Sequence, residues 1–384
     1  MTILFHHWPS FFQRDLQEIL KEEHITFDLL SWDFTKNKEE DQFAFYMQKH
    51  IDLTKYDLLL SVNYWPLLSK LCQNNHIPYV AWCYDAPFED EHIEDTLGNE
   101  QNHVYCFDRM QAQFYQKKGF KTVYHLPLGI NVKRLSAVST SSQLCDHYRC
   151  QISFVGKLYE SVADWLLQHS EEYCKGYLQA LISAQREVYG AFFLADALTD
   201  SFLDRMNHSF QWPDHSLPQT ITREHLTYAL ACEATRRDRI ILLSLLGKRF
   251  HTKLFTYDKS FPMQHAEICP AVNYWNEMPY VFAASKINLN ITLRSIQTGI
   301  PLRALDIMGC GGFLLSNYQE ELDEHFMNGK EVVLYESIPD ALEKAGYYLS
   351  HEAERAQIAE KGRSRVLQAF DMKDRLAFIL QSLG

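Results

Sequence analysis

Several absences narrow what this chain can be. It has no run of eighteen apolar residues, so no membrane-spanning helix is expected. Its opening, M-T-I-L-F-H-H-W, has neither the basic nor the apolar region of a signal peptide. The nine cysteines are odd in number and form no C-x-x-C pair, which fits reduced thiols better than a disulfide framework and points to the cytoplasm. A net charge of −12 denies the chain the broad basic face that a nucleic-acid partner needs, although a local basic pocket is still open to it. No internal repeat or low-complexity tract is present.

At 384 residues, two domains can each bury a core. Thr2 to His6, Ile25 to Leu30, Tyr56 to Val62, Ile77 to Cys83, His103 to Phe107 and Thr122 to Leu126 have the apolar character of strands, with helical stretches between them. Repeated β-α-β units imply an α/β, doubly wound parallel sheet with helices on both faces. The first such domain is expected over residues 1–140. Residues 130 to 149 are polar and serine-rich, a linker by composition. Cys145, His147 and Cys150 could supply three metal ligands there, but with no fourth nearby the plainer reading is coincidence, and no metal is expected.

A second domain is expected over 150–365. It opens with the strand Gln151 to Val155 and the turn Gly156, and carries a helical segment over 158–248 that breaks around Gln211 to Gln219. The strand-helix alternation resumes at Lys253 to Tyr257, and residues 366–384 form a terminal helix. Ligands of open parallel sheets bind beyond the carboxyl ends of the strands. In the first domain those ends carry His6, His7, Asn63, Asp85 and Gly129. Two such domains facing each other would form a cleft.

The stretch from Lys286 to Ser316 is the most informative. Ile287, Leu289 and Ile291 alternate with Asn288 and Asn290, the period of a strand. Thr298, Gly299 and Pro301 break the pattern, and Pro301 suits the first turn of a helix that ends at Gly309, Gly311 and Gly312. Phe313 to Leu315 is the next strand. A glycine-marked loop feeding a helix N-terminus offers unpaired N–H groups to an anion, and Arg303 adds a fork of donors suited to phosphate oxygens. A nucleotide diphosphate is the expected ligand. Arg303 has the competing reading of a surface arginine capping a loop. Asp306, three residues on and on the same face, competes with an exposed helix residue. Lys157, after the Gly156 turn, is a second cation for the same ligand. Asn288 and Asn290 either line the site or satisfy loop backbone. Gly311 is needed for its turn, or for close backbone approach to a ligand.

Several segments, in order along nearly the whole chain, resemble the CgeB-like (spore-maturation protein-like) glycosyltransferases and their accompanying N-terminal domain. They are V-A-W-C-Y-D-A-P at 80 to 87, V-Y-C-F-D-R-M at 104 to 110, G-F-K-T-V-Y-H-L-P-L-G at 119 to 129 and I-S-F-V-G-K-L-Y-E at 152 to 160. Y-W-N-E-M-P-Y-V-F-A-A-S-K-I-N-L-N-I-T at 274 to 292, T-G-I-P-L-R-A-L-D-I-M-G-C-G-G-F-L-L at 298 to 315 and G-K-E-V-V-L-Y at 329 to 335 complete the set. The resemblance implies a GT-B fold: two Rossmann-like domains, the C-terminal one binding a nucleotide sugar, with a last helix that can cross back to the first domain. It implies an acidic residue five positions before the glycine turn that binds the donor's ribose. Asp306 holds that place where a glutamate is common, and Asn317 stands where a further acidic residue is common. The chain has no Asp-x-Asp triplet of the kind that metal-dependent glycosyltransferases of the other common fold use.

The expected protein is therefore a GT-B glycosyltransferase that moves a sugar from a nucleotide-sugar co-substrate, a UDP-sugar, to a protein or glycan acceptor, without other cofactors. The donor side is expected to involve Gly156, Lys157, Asn288, Asn290, Gly299, Arg303, Asp306 and Gly311. Asp85, at a strand end, is the expected base for an acceptor hydroxyl, against the reading of a turn-forming aspartate. Of His6 and His7, which follow the first strand, His7 is expected to contact the acceptor, against the reading of a structural histidine, and Trp8, Trp65 and Trp82 could stack on a sugar or simply pack. Two other classes stay open: a non-catalytic GT-B-like nucleotide-binding subunit, and a dinucleotide-dependent oxidoreductase. The missing G-x-G-x-x-G after the first strand counts against the latter.

Overall fold

The computed structural model describes residues 1–383 except 38, 89–91, 140–142, 160–161, 213–219 and 259–262. Most of the break expected at Gln211 to Gln219, and Glu160 of the 152–160 segment, lie outside the described residues. The chain divides into two compact units. Unit 1 gathers Met1–Leu135, Thr298–Leu305 and Leu367–Gly384, and unit 2 gathers Ser136–Gln297 and Asp306–Val366.

Unit 1 is built on six parallel strands: β1 (Thr2–His6), β2 (Thr26–Leu30), β3 (Leu58–Val62), β4 (Tyr79–Cys83), β5 (Asn102–Cys106) and β6 (Val123–His125). They lie in the order β2-β1-β3-β4-β5-β6. β3 and β4 are buried at every position, as expected of central strands covered on both faces. That is why LLLSV and YVAWC are near-continuous apolar runs. Trp82 is consequently a core residue, edge-on to Phe12 at 4.7 Å, and its ring is not available to stack on a ligand. Helix starts follow their local signals: Ser10 caps Phe11–Glu22 through Gln13 N at 3.2 Å, and Pro66 opens Pro66–Asn75.

The last helix, Met372–Gln381, groups with unit 1 through backbone pairing. Ile130 N donates to Phe370 O at 2.8 Å, and Met372 N to Ile130 O at 2.9 Å. A Cβ on Gly129 would sit 2.7 Å from Met372 Cα, so this approach needs glycine. The stretch taken from composition as a linker holds two short helices, Val132–Ser136 and Gln143–Tyr148. Arg134 anchors the first of them by a two-pronged pair with buried Asp15, at 2.9 and 2.7 Å. Cys145 is fully buried. Among the described residues no cluster of three His, Cys, Asp or Glu side chains could hold a metal ion, and no helix is long and apolar enough to cross a membrane.

Unit 2 repeats the plan with β7 (Cys150–Val155), β8 (Thr252–Thr256), β9 (Glu267–Pro270), β10 (Ser285–Asn290), β11 (Leu314–Asn317) and β12 (Val333–Tyr335), in the order β12-β11-β10-β7-β8-β9, all parallel. β9 has no counterpart among the expected strands. It is an exposed edge strand ending in proline, and such a strand needs neither an apolar face nor a full set of N–H donors. A helical layer, including Val162–His169, Glu172–Glu187, Asp200–Ser209 and Arg223–Gly247, stands between β7 and β8 in sequence and packs its own apolar core.

Candidate functional site

Each sheet reverses direction once. In unit 2 the chain runs outward from β7 through β8 to β9, then returns to the other side of β7 with β10, β11 and β12. The reversal lies between β7 and β10, and the space beyond the carboxyl ends of two such strands is where open sheets bind ligands. Those two ends are tied together by one side chain. Arg239, on the helix Arg223–Gly247 and 1 % exposed, donates from Nε and Nη2 to Ile291 O and from Nη1 to Lys157 O. Its guanidinium also lies over the rings of Phe154 and Tyr159, 5.0 and 4.7 Å from their centroids. The carbonyl of Lys157 is thereby pinned where β7 ends, while the Lys157 side chain is exposed. Gly156 N donates to Phe255 O at 3.0 Å, which fixes the turn before it.

The neighbouring loop is fixed by polar contacts. Thr292 N donates to Asn317 Oδ1 at 2.7 Å, and Asn290 Nδ2 to Ser316 Oγ and Thr292 Oγ1 at 2.9 and 3.0 Å. Arg294 reaches Asp238 at 2.7 Å and the carbonyls of Val188 and Arg186, and covers the Tyr189 ring. Thr292, Leu293, Arg294, Gln297, Asn317 and Gln319 line a small recess at this edge.

The other expected donor residues are placed as follows. Asn288 is fully buried, held by Ser153 Oγ at 2.8 Å and Phe282 O at 3.0 Å, so its carboxamide serves the sheet interior. Asp306 is 1 % exposed and accepts from Tyr274 Oη at 3.2 Å, which removes the reading of an exposed helix residue. Gly311, at a φ of 78° that favours glycine, precedes β11 and stands at the amino edge of the sheet, not the carboxyl edge. It lines a cavity of unit 2 of about 450 Å³, together with Cys150, Ser285, Phe313 and Arg355. The cavity and the strand topology point to opposite edges of the sheet. Topology is the better guide, since the amino edge carries no strand reversal that opens outward from carboxyl ends.

The loop expected to cradle an anion, Thr298 to Arg303, groups with unit 1. Its first N–H groups are engaged by a carboxylate: Asp108 Oδ2 accepts from Thr298 N at 3.2 Å and Gly299 N at 3.4 Å. Asp108 also caps the helix Arg109–Lys117 through Met110 N and Gln111 N, at 2.9 and 3.2 Å. A Cβ on Gly299 would come within 2.9 Å of Asp108 Cα and 2.8 Å of the Phe107 ring, so the contact depends on glycine. Arg303 is half-buried in the first turn of the helix Leu302–Gly309.

In unit 1 the strand order reverses between β1 and β3. His6, His7 and Trp8 lie at the carboxyl end of β1, Asn63 after β3, and Tyr84 and Asp85 after β4. His7 is exposed and His6 fully buried. Asn63, at a φ of 60°, donates from Nδ2 to Asp85 Oδ2 at 2.7 Å. Trp8 meets Trp65 edge-on at 5.7 Å and Tyr84 at 6.0 Å, which makes an aromatic patch between the two strand ends. Asp108, Arg239 and Gln13 escaped the sequence reading. Asp108 carried a signal, an aspartate at a strand end followed by a helix, whereas Arg239 carried none.

Both units thus have the strand order and carboxyl-edge organisation of Rossmann-like domains, and the chain has the GT-B fold. Over its full length it is similar to Anabaena HepE crystallised with UDP and glucose, with a TM-score of 0.56 at 13% identity and 100% of both chains covered. It is likewise similar to a glycosyltransferase from Rickettsia africae, with a TM-score of 0.53 at 10% identity, covering 100% of this chain and 98% of the other. Sucrose-phosphate synthase from Thermosynechococcus elongatus gives a TM-score of 0.52 at 12% identity, over 100% and 99%. Residues 243–381 match the glycosyl transferase-like family. No curated protein sequence matches the chain.

Proposed function

We propose that this protein is a glycosyltransferase that moves a sugar from a UDP-sugar to a hydroxyl of a protein or glycan acceptor. The observation that carries the reading is the glycosyl transferase-like match over residues 243–381, within a chain that shares its fold from end to end with HepE, which was crystallised with UDP. In the reaction, a bond forms between the acceptor oxygen and the anomeric carbon. The bond from that carbon to the diphosphate breaks, its electron pair leaves with UDP, and the acceptor proton passes to a base. Charge grows on the departing phosphate oxygen, so cationic and N–H donors must meet it. Lys157, exposed at the pinned end of β7, is the side chain we assign to that task. Asp85 is the assigned base. We further propose that turnover needs no bound metal.

The test is UDP release from a panel of UDP-sugars by the purified full chain, with and without EDTA. Release from at least one donor, unchanged by EDTA, is expected. Binding of UDP without release from any donor would instead make the chain a nucleotide-binding subunit, and loss of release in EDTA would refute metal independence.

A further inference from the structure

His7 and Asp85 each meet a carboxamide whose orientation is set by backbone. The Trp8 N–H lies 2.7 Å from Gln13 Oε1. A backbone N–H can only donate, so that end of Gln13 is its oxygen. The other end is the NH₂ group, which donates to His7 Nδ1 at 2.8 Å. A ring nitrogen that accepts carries no proton, so the neutral imidazole of His7 keeps its hydrogen on Nε2. The device is repeated at Asp85. Tyr84 N and Asp85 N donate to Asn63 Oδ1 at 3.0 and 3.3 Å, which turns the Asn63 NH₂ group onto Asp85 Oδ2. Gln13 is 3 % exposed and starts its helix from the Ser10 cap, so the orienting group is held while the ring it orients is open to solvent. The rings of Trp8 and Tyr84, the immediate neighbours of His7 and Asp85, stand 6.0 Å apart, so both strand ends belong to one patch.

We infer that Gln13 is a positioning residue that fixes His7 as a hydrogen-bond donor through Nε2–H toward the acceptor of the proposed transfer. The inference rests on the glycosyl-transfer reading for its ligand, but not for its geometry. A neutral His7 held in this way offers a hydrogen bond through Nε2–H, and the proposed acceptance of the acceptor proton is assigned to Asp85. Gln13 as a mere helix-start residue would be indifferent to which nitrogen of His7 is protonated, and that difference is measurable.

The experiment is a two-bond ¹⁵N–¹H correlation spectrum of the full chain, with the His7 signals identified by their loss in His7→Gln. In the wild type, a protonated Nε2 and an unprotonated Nδ1 are expected. In Gln13→Glu the new carboxylate still accepts from Trp8 N but can no longer donate, so the proton is expected to move to Nδ1. A wild-type ring protonated on Nδ1 overturns the inference, and so does a tautomer that Gln13→Glu leaves unchanged. Neither spectrum depends on turnover. A chain that transfers no sugar would refute the proposed function and leave the tautomer result standing.

Discussion

Asp108 and Thr298 are 190 residues apart in sequence and joined twice: Oδ2 of the aspartate accepts from Thr298 N at 3.2 Å, and Oδ1 from Thr298 Oγ1 at 3.3 Å. The same carboxylate caps the helix Arg109–Lys117. One side chain therefore starts a helix and holds the loop that leads to Pro301. Asp108→Ala removes the cap and leaves the loop N–H groups without their acceptor. The expected loss is about 2–3 kcal/mol of stability, measured by urea unfolding of the full chain. Asp108→Asn keeps an oxygen for the cap, and is expected to lose less than the alanine variant.

Arg239 supplies the corresponding tie in unit 2. Arg239→Met fills the space but leaves Lys157 O and Ile291 O unpaired in a buried setting, at an expected cost of about 2–4 kcal/mol. Arg239→Lys is not expected to rescue it, because a single ammonium cannot reproduce a fork that reaches two strand ends at once. Thermal unfolding of the three proteins checks the order. Equal stability of the lysine variant and wild type would contradict the pinning role.

His6 gives the chain a pH dependence of known sign. Burial drives its pKa down from 6.5 to about 4, partly offset by the hydrogen bond to Trp32 O. Since Trp32 O can only accept, Nε2 carries the hydrogen, and a second proton would have to go onto buried Nδ1, which has no hydrogen-bond partner among the described residues. The folded state thus favours the neutral ring. The stability this contributes is present above pH 6.5 and is lost as the pH falls through the window from 6.5 to 4. At pH 5 the loss from this group is about 2 kcal/mol. In His6→Phe, urea midpoints at pH 7 and pH 5 should differ less than in the wild type, and an undiminished difference would assign the acid sensitivity elsewhere.

The fold was legible because strand and helix periods are local. Thr2–His6 appears as expected, and the other anticipated strands shift by a few residues at most. The polar ties were not legible, for physical reasons. Asp108 and Thr298 meet only after folding, and no local pattern marks a partner so distant in sequence. Arg239 sits on a helix that buries Glu233, Asp238 and Arg239 alike, so the usual reading of charge as a solvent face fails there. Asn288 and Asn290 alternate with apolar residues as if on a wet face. In the folded chain they are fully buried because β10 is central, and carboxamides can pair with neighbouring strands and loops. Gly156 and Lys157 directly follow β7, because the end of a strand is set by its own local apolar period.

We propose that UDP is held beyond the carboxyl ends of β7 and β10. A crystal of the full chain soaked with UDP tests it most directly. Density for the nucleotide is expected over Gly156 and Thr292, with the diphosphate within reach of the Lys157 ammonium. UDP seated instead in the amino-edge cavity beside Gly311 and Arg355 would contradict it.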